Sequence, residues 1–314
     1  MYRYSNYQKV KEMIEARRLA SLASKDARDE EVRELSEGVR AIDERLKATG
    51  LLLFKTACTG GDIEPIKKEN LKLQEMRRDL IEALGFPRDY TDLKYYCPDC
   101  SDTGYIGGTK VCHCLKEALI RETIASSGIG DLLDKQTFES FDLEWYRYDE
   151  KTYELMKRNV NAAKAFVRDF GSVKKNLLLI GTTGSGKTPI STAIAGEVIR
   201  KGYDVIYDSA VNIIRDFNDD QFHRDGKEEP KSDKYMECDL LIIDDLGTEF
   251  VTAFSVSCLY NLLNTRQNRS LPTVISTNLT ADELSGKYED RIYSRIVGAG
   301  CTILLFNGKD HRIG

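Results

Sequence analysis

Gly181-Thr182-Thr183-Gly184-Ser185-Gly186-Lys187-Thr188 fits G-x-x-x-x-G-K-[ST], the spacing of a phosphate-binding loop. Its glycines let consecutive backbone N–H groups turn toward phosphate oxygens, and the helix that follows adds its positive N-terminal end. Lys187 is then expected on the β- and γ-phosphates of ATP, and the Thr188 hydroxyl on Mg²⁺. The apolar run Leu177–Ile180 supplies the strand that such a loop must leave. That context weakens the bland alternative, a Gly-rich turn that binds nothing.

A second group of polar residues follows downstream. Leu240-Leu-Ile-Ile-Asp244-Asp245 is an apolar strand ending in two acids. After a phosphate loop, this form suits Asp244 for supporting Mg²⁺ and Asp245 for polarising the water that attacks the γ-phosphate. Thr273–Asn278 is another apolar strand with a polar end, from which Asn278 could hydrogen-bond the γ-phosphate or that water. A strand ending in Asn also suits a simple turn. Arg291 and Arg295 lie four apart, hence on one helix face. Either could stabilise charge developing on a neighbouring subunit's nucleotide, or serve an ordinary surface ion pair.

Cys97-Pro-Asp-Cys100 and Cys112-His-Cys114 bracket SDTGYIGGTKV, which reads as a small hairpin. Four thiolates from two close pairs can surround Zn²⁺ tetrahedrally. His113 could replace one sulfur, and a redox dithiol at Cys97/Cys100 is the chief rival. Cys58, Cys238, Cys258 and Cys301 are scattered, as small buried hydrophobes would be.

The elements that must position these groups are legible in the periodicity. Five apolar runs, at 176–180, 204–208, 239–244, 273–277 and 302–306, alternate with helical segments, which predicts α/β architecture with a parallel sheet flanked by helices. Ahead of it, Val32, Leu35, Val39, Ile42 and Leu46 mark one helix that Gly50 should end. Leu73, Met76, Leu80 and Leu84 mark a second, starting near Asp62 and stopped by Gly85 and Pro87, so the two should form a helical hairpin or short coiled coil. A charged helix is expected over Leu115–Ser127, and residues 218–234 read as a mobile loop. The domains expected are a helical partner-binding region (1–95), a four-cysteine zinc module with a linker helix (96–128) and a nucleotide-binding domain (129–314).

The chain of 314 residues has a net charge of −5, which argues against a surface that is basic throughout while allowing a local basic groove. Lys174 and Lys175 are candidates for such a groove. No apolar run approaches a membrane span, and the N-terminus lacks a signal-peptide core, so the expectation is a cytoplasmic protein without a membrane partner. In that compartment clustered cysteines favour metal over disulfide.

The order and spacing of phosphate loop, paired acids, strand-ending Asn and late arginines resemble an AAA+ ATPase. LLIIDDLGTE (240–249), TVISTNLT (273–280), YEDRIYSRIVG (288–298) and the closing LLFNGKDHR resemble the bacterial replicative-helicase loaders of the DnaC/DnaI type and their relatives, the IstB-type transposition helpers. Thr137-Phe138-Glu139-Ser140-Phe141 is similar to the entry of that family's nucleotide-binding domain. The likeness covers residues 130–314 and is weak over 1–95.

The resemblance implies that Gly181 to Thr188 and Asp244 hold ATP and Mg²⁺, with Asp245 and Asn278 catalytic. It also implies Arg295 as the finger acting in trans and Arg312 as the arginine reading the γ-phosphate in cis. Two features depart from the pattern: Asp245 stands where many AAA+ proteins have Glu, which would slow hydrolysis, and Pro189 directly follows Thr188. The domain is expected to run to Gly314 without a helical lid. CPDCSDTG resembles one zinc knuckle of J-type co-chaperones, and DnaI-type loaders likewise carry a zinc-bearing N-terminal region.

The function implied is ATP-driven loading of a hexameric replicative DNA helicase onto single-stranded DNA in DNA replication, with self-association through AAA+ interfaces when ATP is bound. The alternatives are an IstB-like transposition helper ATPase, or a zinc-containing nucleotide-binding chaperone or adaptor.

Overall fold

The computed structural model describes residues 2–130, 132–222, 230–298 and 300–309. Contacts gather the chain into two compact units, Lys9–Lys116 on one hand and Met1–Gln8 with Glu117–Gly314 on the other.

Three helices dominate the Lys9–Lys116 unit: α1 (Tyr4–Leu35, entering it from the other unit), α2 (Glu37–Cys58) and α3 (Glu64–Ala83). The first apolar stripe is split between two helices. α1 stops at Leu35, and the Ser36 hydroxyl caps α2 by accepting from the Val39 N–H at 3.3 Å. Val32 and Val39 still meet, packed with Ile81, while Leu35 is exposed. Gly50 does not end α2. An exposed glycine inside a helix costs about 1 kcal/mol but breaks no backbone hydrogen bond, and the chain turns only at Thr59-Gly60-Gly61, where Gly60 takes φ +70°. α3 begins with Pro65 in its first turn and ends before Gly85, at φ +89°.

In the second stripe Leu73 is buried, but Met76 is exposed and Ile81 takes the fully buried place. A layer of charge explains the discrepancy. Arg77 reaches Asp43 at 2.6 Å, Asp29 at 2.7 Å and the Thr91 hydroxyl at 2.6 Å, and Arg33 reaches Asp43 at 2.7 Å. Residues whose type assigns them to the surface thus join α1, α2 and α3 from within. After α3 come a hairpin of β1 (Tyr105–Ile106) and β2 (Lys110–Val111), paired antiparallel, and α4 (His113–Ser126).

The second unit continues with α5 (Leu132–Lys135), a 3₁₀ turn at Glu144–Tyr148 and α6 (Glu150–Asp169), which Asp149 caps by accepting from the Thr152 N–H. β3 (Asn176–Gly181) leads through the phosphate loop into α7 (Lys187–Arg200). Then follow β4 (Val205–Ser209), α8 (Ala210–Phe222), α9 (Asp233–Glu237), β5 (Leu240–Leu246), α10 (Ala253–Asn268), β6 (Thr273–Thr277), α11 (Ala281–Lys287), α12 (Asp290–Ile296) and β7 (Cys301–Phe306).

The sheet is parallel with order β4-β5-β6-β3-β7, an AAA+ arrangement with the phosphate-loop strand inside it. Alternate residues feed opposite layers, because a strand's side chains alternate faces. Leu177, Leu179, Leu240, Ile242 and Val274 pack with Met156 and Val160 of α6 and Ile190 and Ile194 of α7. Leu178, Leu241, Ile243 and Ile275 pack with Ile213 of α8, Leu259 and Leu262 of α10 and Ile292 of α12. Burial on both faces is why these strands read as continuous apolar runs.

Residues 218–234 depart from the loop expected there. α8 extends to Phe222, α9 occupies 233–237, and the Asp220 carboxylate accepts from the Lys231 and Ser232 N–H groups, each at 2.8 Å; residues 223–229 lie outside the described residues. Cys238 and Cys258 are buried, whereas Cys58, the last residue of α2, is exposed and Cys301 half-buried. Among the described residues no helix is long and apolar enough to cross a membrane.

Candidate functional site

The carboxyl ends of β3, β5 and β6 open onto one pocket of about 470 Å³. Thr183, Gly184, Gly186, Lys187, Thr188, Asp245 and Asn278 line it together with Gln136, Phe141 and Tyr146. Crevices beyond the carboxyl ends of parallel strands are where open α/β sheets bind ligands.

The loop's path is forced at two glycines. A Cβ on Gly181 would stand 2.1 Å from the Phe306 carbonyl oxygen of the neighbouring strand. Gly186 has φ +102°, and a Cβ there would stand 2.5 Å from the Tyr146 hydroxyl. That hydroxyl donates to the Ser185 carbonyl at 3.1 Å. Burial, followed by the nearby Tyr148 and Asp142, raises the Tyr146 phenol well above its ordinary range, so it remains a donor. Inside the loop, the Ser185 hydroxyl donates to the Thr182 carbonyl at 2.6 Å.

Lys187 is 5 % exposed, and its Nζ donates to the carbonyls of Gly181 (2.6 Å) and Thr182 (2.8 Å) and to Asn278 Oδ1 (2.6 Å). Sensor candidate and loop lysine are therefore in direct contact. Left-handed glycines, a buried ammonium and the N-terminus of the fourteen-residue α7 form a donor set that fits a polyphosphate. Pro189 sits in the first turn of α7, where a missing N–H costs no helical hydrogen bond.

The two acids end β5 in different settings. The Asp244 carboxylate accepts from the Ser276 hydroxyl on one oxygen and from the Tyr207 hydroxyl, at 2.8 Å, on the other. Burial and then the charge of Asp244 raise the Tyr207 phenol, which keeps its proton and donates. Tyr207 also lies 3.2 Å from the hydroxyl of Ser191 on α7, one turn beyond Thr188. Asp245 faces the pocket with φ +52°, and its N–H donates to the Ser276 hydroxyl at 2.9 Å.

Arg295 lies elsewhere. Its guanidinium stacks on Tyr260 of α10, with its carbon 4.2 Å from the ring centre, and donates to Asn264 Oδ1 (2.9 and 3.1 Å), the Tyr260 hydroxyl (3.0 Å) and the Arg291 carbonyl (2.6 Å). Arg291, Tyr260, Lys287 and Val251 line a separate groove of about 520 Å³. Arg312 lies outside the described residues.

In the other unit, the Sγ atoms of Cys97, Cys100, Cys112 and Cys114 all lie within 4.8 Å of one another. Cys97 to Cys112 is 3.7 Å and Cys100 to Cys114 is 3.5 Å. Four sulfurs about 2.3 Å from a central ion stand about 3.8 Å apart in a tetrahedron, so the cluster fits a metal of that geometry. His113 is outside this set, with Nδ1 3.4 Å from an Asp99 carboxylate oxygen and 3.6 Å from Cys112 Sγ. Burial raises the Cys97 and Cys114 thiols, whereas at Cys100 burial is outweighed by the Gly104 N–H and the neighbouring sulfurs, which bring the thiol down to about 7. Asp102, at φ +51°, accepts from the Tyr96 and Cys97 N–H groups at 2.8 Å each and so shapes the first cysteine turn.

Sequence reasoning did not single out Gln136, Tyr146, Tyr207 or Ser276. The first two stand near TFESF, whose aromatic density ahead of a phosphate loop was the available signal. Tyr207 and Ser276 lie on β4 and β6, the strands on either side of β5, a position that only the strand order makes meaningful.

Comparison with known proteins agrees with this geometry. The sequence pattern of the IstB-like ATP binding protein family matches residues 121–298. The chain is 28% identical over 230 residues to the phage-like element PBSX protein XkdC of Bacillus subtilis, covering 68% of this chain and 83% of that one. It is 22% identical over 193 residues to the replicative helicase loader DnaC of Escherichia coli K12, covering 62% and 76%. Among solved structures, the crystal structure of the DnaC helicase loader aligns with a TM-score of 0.49 and 18% identity, over 57% of this chain and all of that one, and that of DnaI with 0.47 and 22%, over 58% and 93%. With more than half of its length matched by that pattern, and with the phosphate loop at the carboxyl end of a parallel sheet, the chain belongs to the family of IstB-like ATP-binding proteins.

Proposed function

We propose that this protein is an ATPase that loads a hexameric replicative helicase onto single-stranded DNA. One observation carries the enzymatic half: Lys187, Thr188, Asp245 and Asn278 line a single pocket, with Asp244 beside it on β5. In this reading the loop from Gly181 to Thr188 cradles the phosphates of ATP. Thr188 and Asp244 hold Mg²⁺, which neutralises phosphate charge when bound. Asp245 accepts a proton from the attacking water, and Asn278, whose Oδ1 accepts from Lys187, donates from its Nδ2–H to the γ-phosphate or that water. Arg295 serves as the finger toward a neighbouring copy, and Arg312 reads the γ-phosphate in cis. The metal in the cysteine cluster is zinc, which closes a small structural module.

The partner assignment draws on the relatives, one of which is named a replicative helicase loader. The helical unit leaves Leu51, Leu52, Phe54 and Leu71 exposed, an apolar surface suited to a protein partner. For single-stranded DNA, Phe250 is 92 % exposed next to Val251, which lines the groove with Lys287 and Arg291; aromatic stacking beside cations is a common way to hold unpaired bases. A cytoplasmic location accompanies this function. The family's description favours a second reading, an IstB-type transposition helper.

The test is ATP turnover with and without single-stranded DNA, paired with capture of host proteins in the presence of ATP. Turnover in the native protein, its loss with nucleotide binding in Lys187→Ala, and recovery of the helicase support the loader. Recovery of a transposase supports the second reading. Failure of the folded native chain to bind ATP with magnesium refutes both.

A further inference from the structure

One hydroxyl joins the two acids of the nucleotide site. β5 and β6 pair Ile243 with Ile275 and then Leu246 with Thr277, so Asp244 and Asp245 together oppose the single residue Ser276. This is a bulge: two residues on one strand face one on the other, and the extra residue drops out of the ladder. Asp245 takes up the distortion at φ +52°, a left-handed conformation uncommon for L residues other than asparagine and aspartate, and here the backbone is also held. The hold is visible. The Ser276 hydroxyl accepts from the Asp245 N–H at 2.9 Å and donates to the Asp244 carboxylate. Ser276 is 0 % exposed, so its hydroxyl is committed to these two partners rather than to water.

We propose that Ser276 is a positioning residue that sets both acids at once, fixing the Asp244 carboxylate for magnesium and the Asp245 backbone that aims its side chain into the pocket. This rests on the roles of Asp244 and Asp245 given above. Tyr207 is the built-in comparison. Its hydroxyl donates to the second oxygen of Asp244, whereas the Ser276 hydroxyl bonds both acids.

The experiment compares the native chain, Ser276→Ala and Tyr207→Phe by titrating magnesium into complexes with a fluorescent ATP analogue. Both variants should keep the magnesium-free affinity for the analogue, and both should raise the magnesium midpoint, Ser276→Ala by about tenfold, as expected for losing a hydrogen bond to a charged group. Turnover separates them: Ser276→Ala should lower kcat by at least about tenfold with KM for ATP little changed, while Tyr207→Phe at saturating magnesium stays within about threefold of native. A third readout needs no variant, because the Asp245 amide should exchange slowly with solvent in the native chain.

An unchanged magnesium midpoint in Ser276→Ala, equal losses of kcat in the two variants, or rapid exchange at Asp245 would each overturn the assignment. A native chain that binds magnesium and nucleotide without turning ATP over would overturn the ATPase reading instead, and the midpoint and the amide exchange would still judge Ser276.

Discussion

A metal held by the cysteine cluster would be a large local source of stability in the Lys9–Lys116 unit, and removing a ligand tests it. The hairpin between the two cysteine pairs has strands of two residues each, β1 and β2, with backbone hydrogen bonds worth about 1 kcal/mol apiece. Its buried apolar groups are the cysteines themselves, and the side chains of Ile106 and Val111 face solvent. Against this, a structural zinc contributes ~10–16 kcal/mol of apparent folding free energy. Cys112 is the sulfur to remove, being fully buried and 3.7 Å from Cys97.

Cys112→Ser should therefore release the metal and expose residues 96–114 to protease, while ATP binding survives because its pocket is built within the other unit. The assay is zinc release on thiol titration of the native chain, expected at about one ion per chain for a four-sulfur site, followed by limited proteolysis of native and variant proteins. A metal-free native chain that resists protease at 96–114 would refute the argument. So would a variant that still holds zinc tightly.

Four further outcomes follow from the geometry. Arg295→Ala should leave ATP binding intact and abolish turnover that depends on assembly; normal turnover at high protein concentration would remove Arg295 from the proposed role. Arg77→Ala removes the guanidinium shared by Asp29 and Asp43, which keep Lys25 and Arg33, and should destabilise the helical unit by about 1–3 kcal/mol, read as a lowered helical melting temperature. Burial raises the Asp29 carboxyl, but Lys25 and Arg77 outweigh it and hold it below its ordinary value. A carboxyl depressed in the folded state gives stability that is present above the unfolded value of about 3.9 and lost as pH falls through the folded one. Native melting should therefore weaken below about pH 4, and a curve flat through that range would contradict the pairing. Phe250→Ala should weaken single-stranded DNA binding by about 1–3 kcal/mol without altering ATP affinity, and unchanged DNA binding would clear that loop.

The sheet was legible because its inner strands are buried on both faces, which removes polar residues from Leu177–Ile180 and Leu240–Ile243 and leaves only length to judge. The phosphate loop was legible because its glycines answer to backbone geometry, which tolerates few alternatives. The helical unit was less so. Its stripe runs across the break at Ser36 without losing period, since the residues on both sides pack on Ile81. Its interior also holds Asp29, Asp43 and Arg77, whose types give no sign of burial when read singly. Tyr207 and Ser276 stayed hidden because their roles depend on strand neighbours far apart in sequence.

The left-handed turn at Asp245 bears on why an aspartate stands where many relatives of the wider class carry glutamate. Short polar side chains are among the few that accept such a backbone readily, and aspartate is one of them. Lengthening the arm by one methylene would thus reach farther while seating a residue less suited to the twist beneath it. At this position conformational tolerance and chemical reach pull in opposite directions, and the chain has settled on the former.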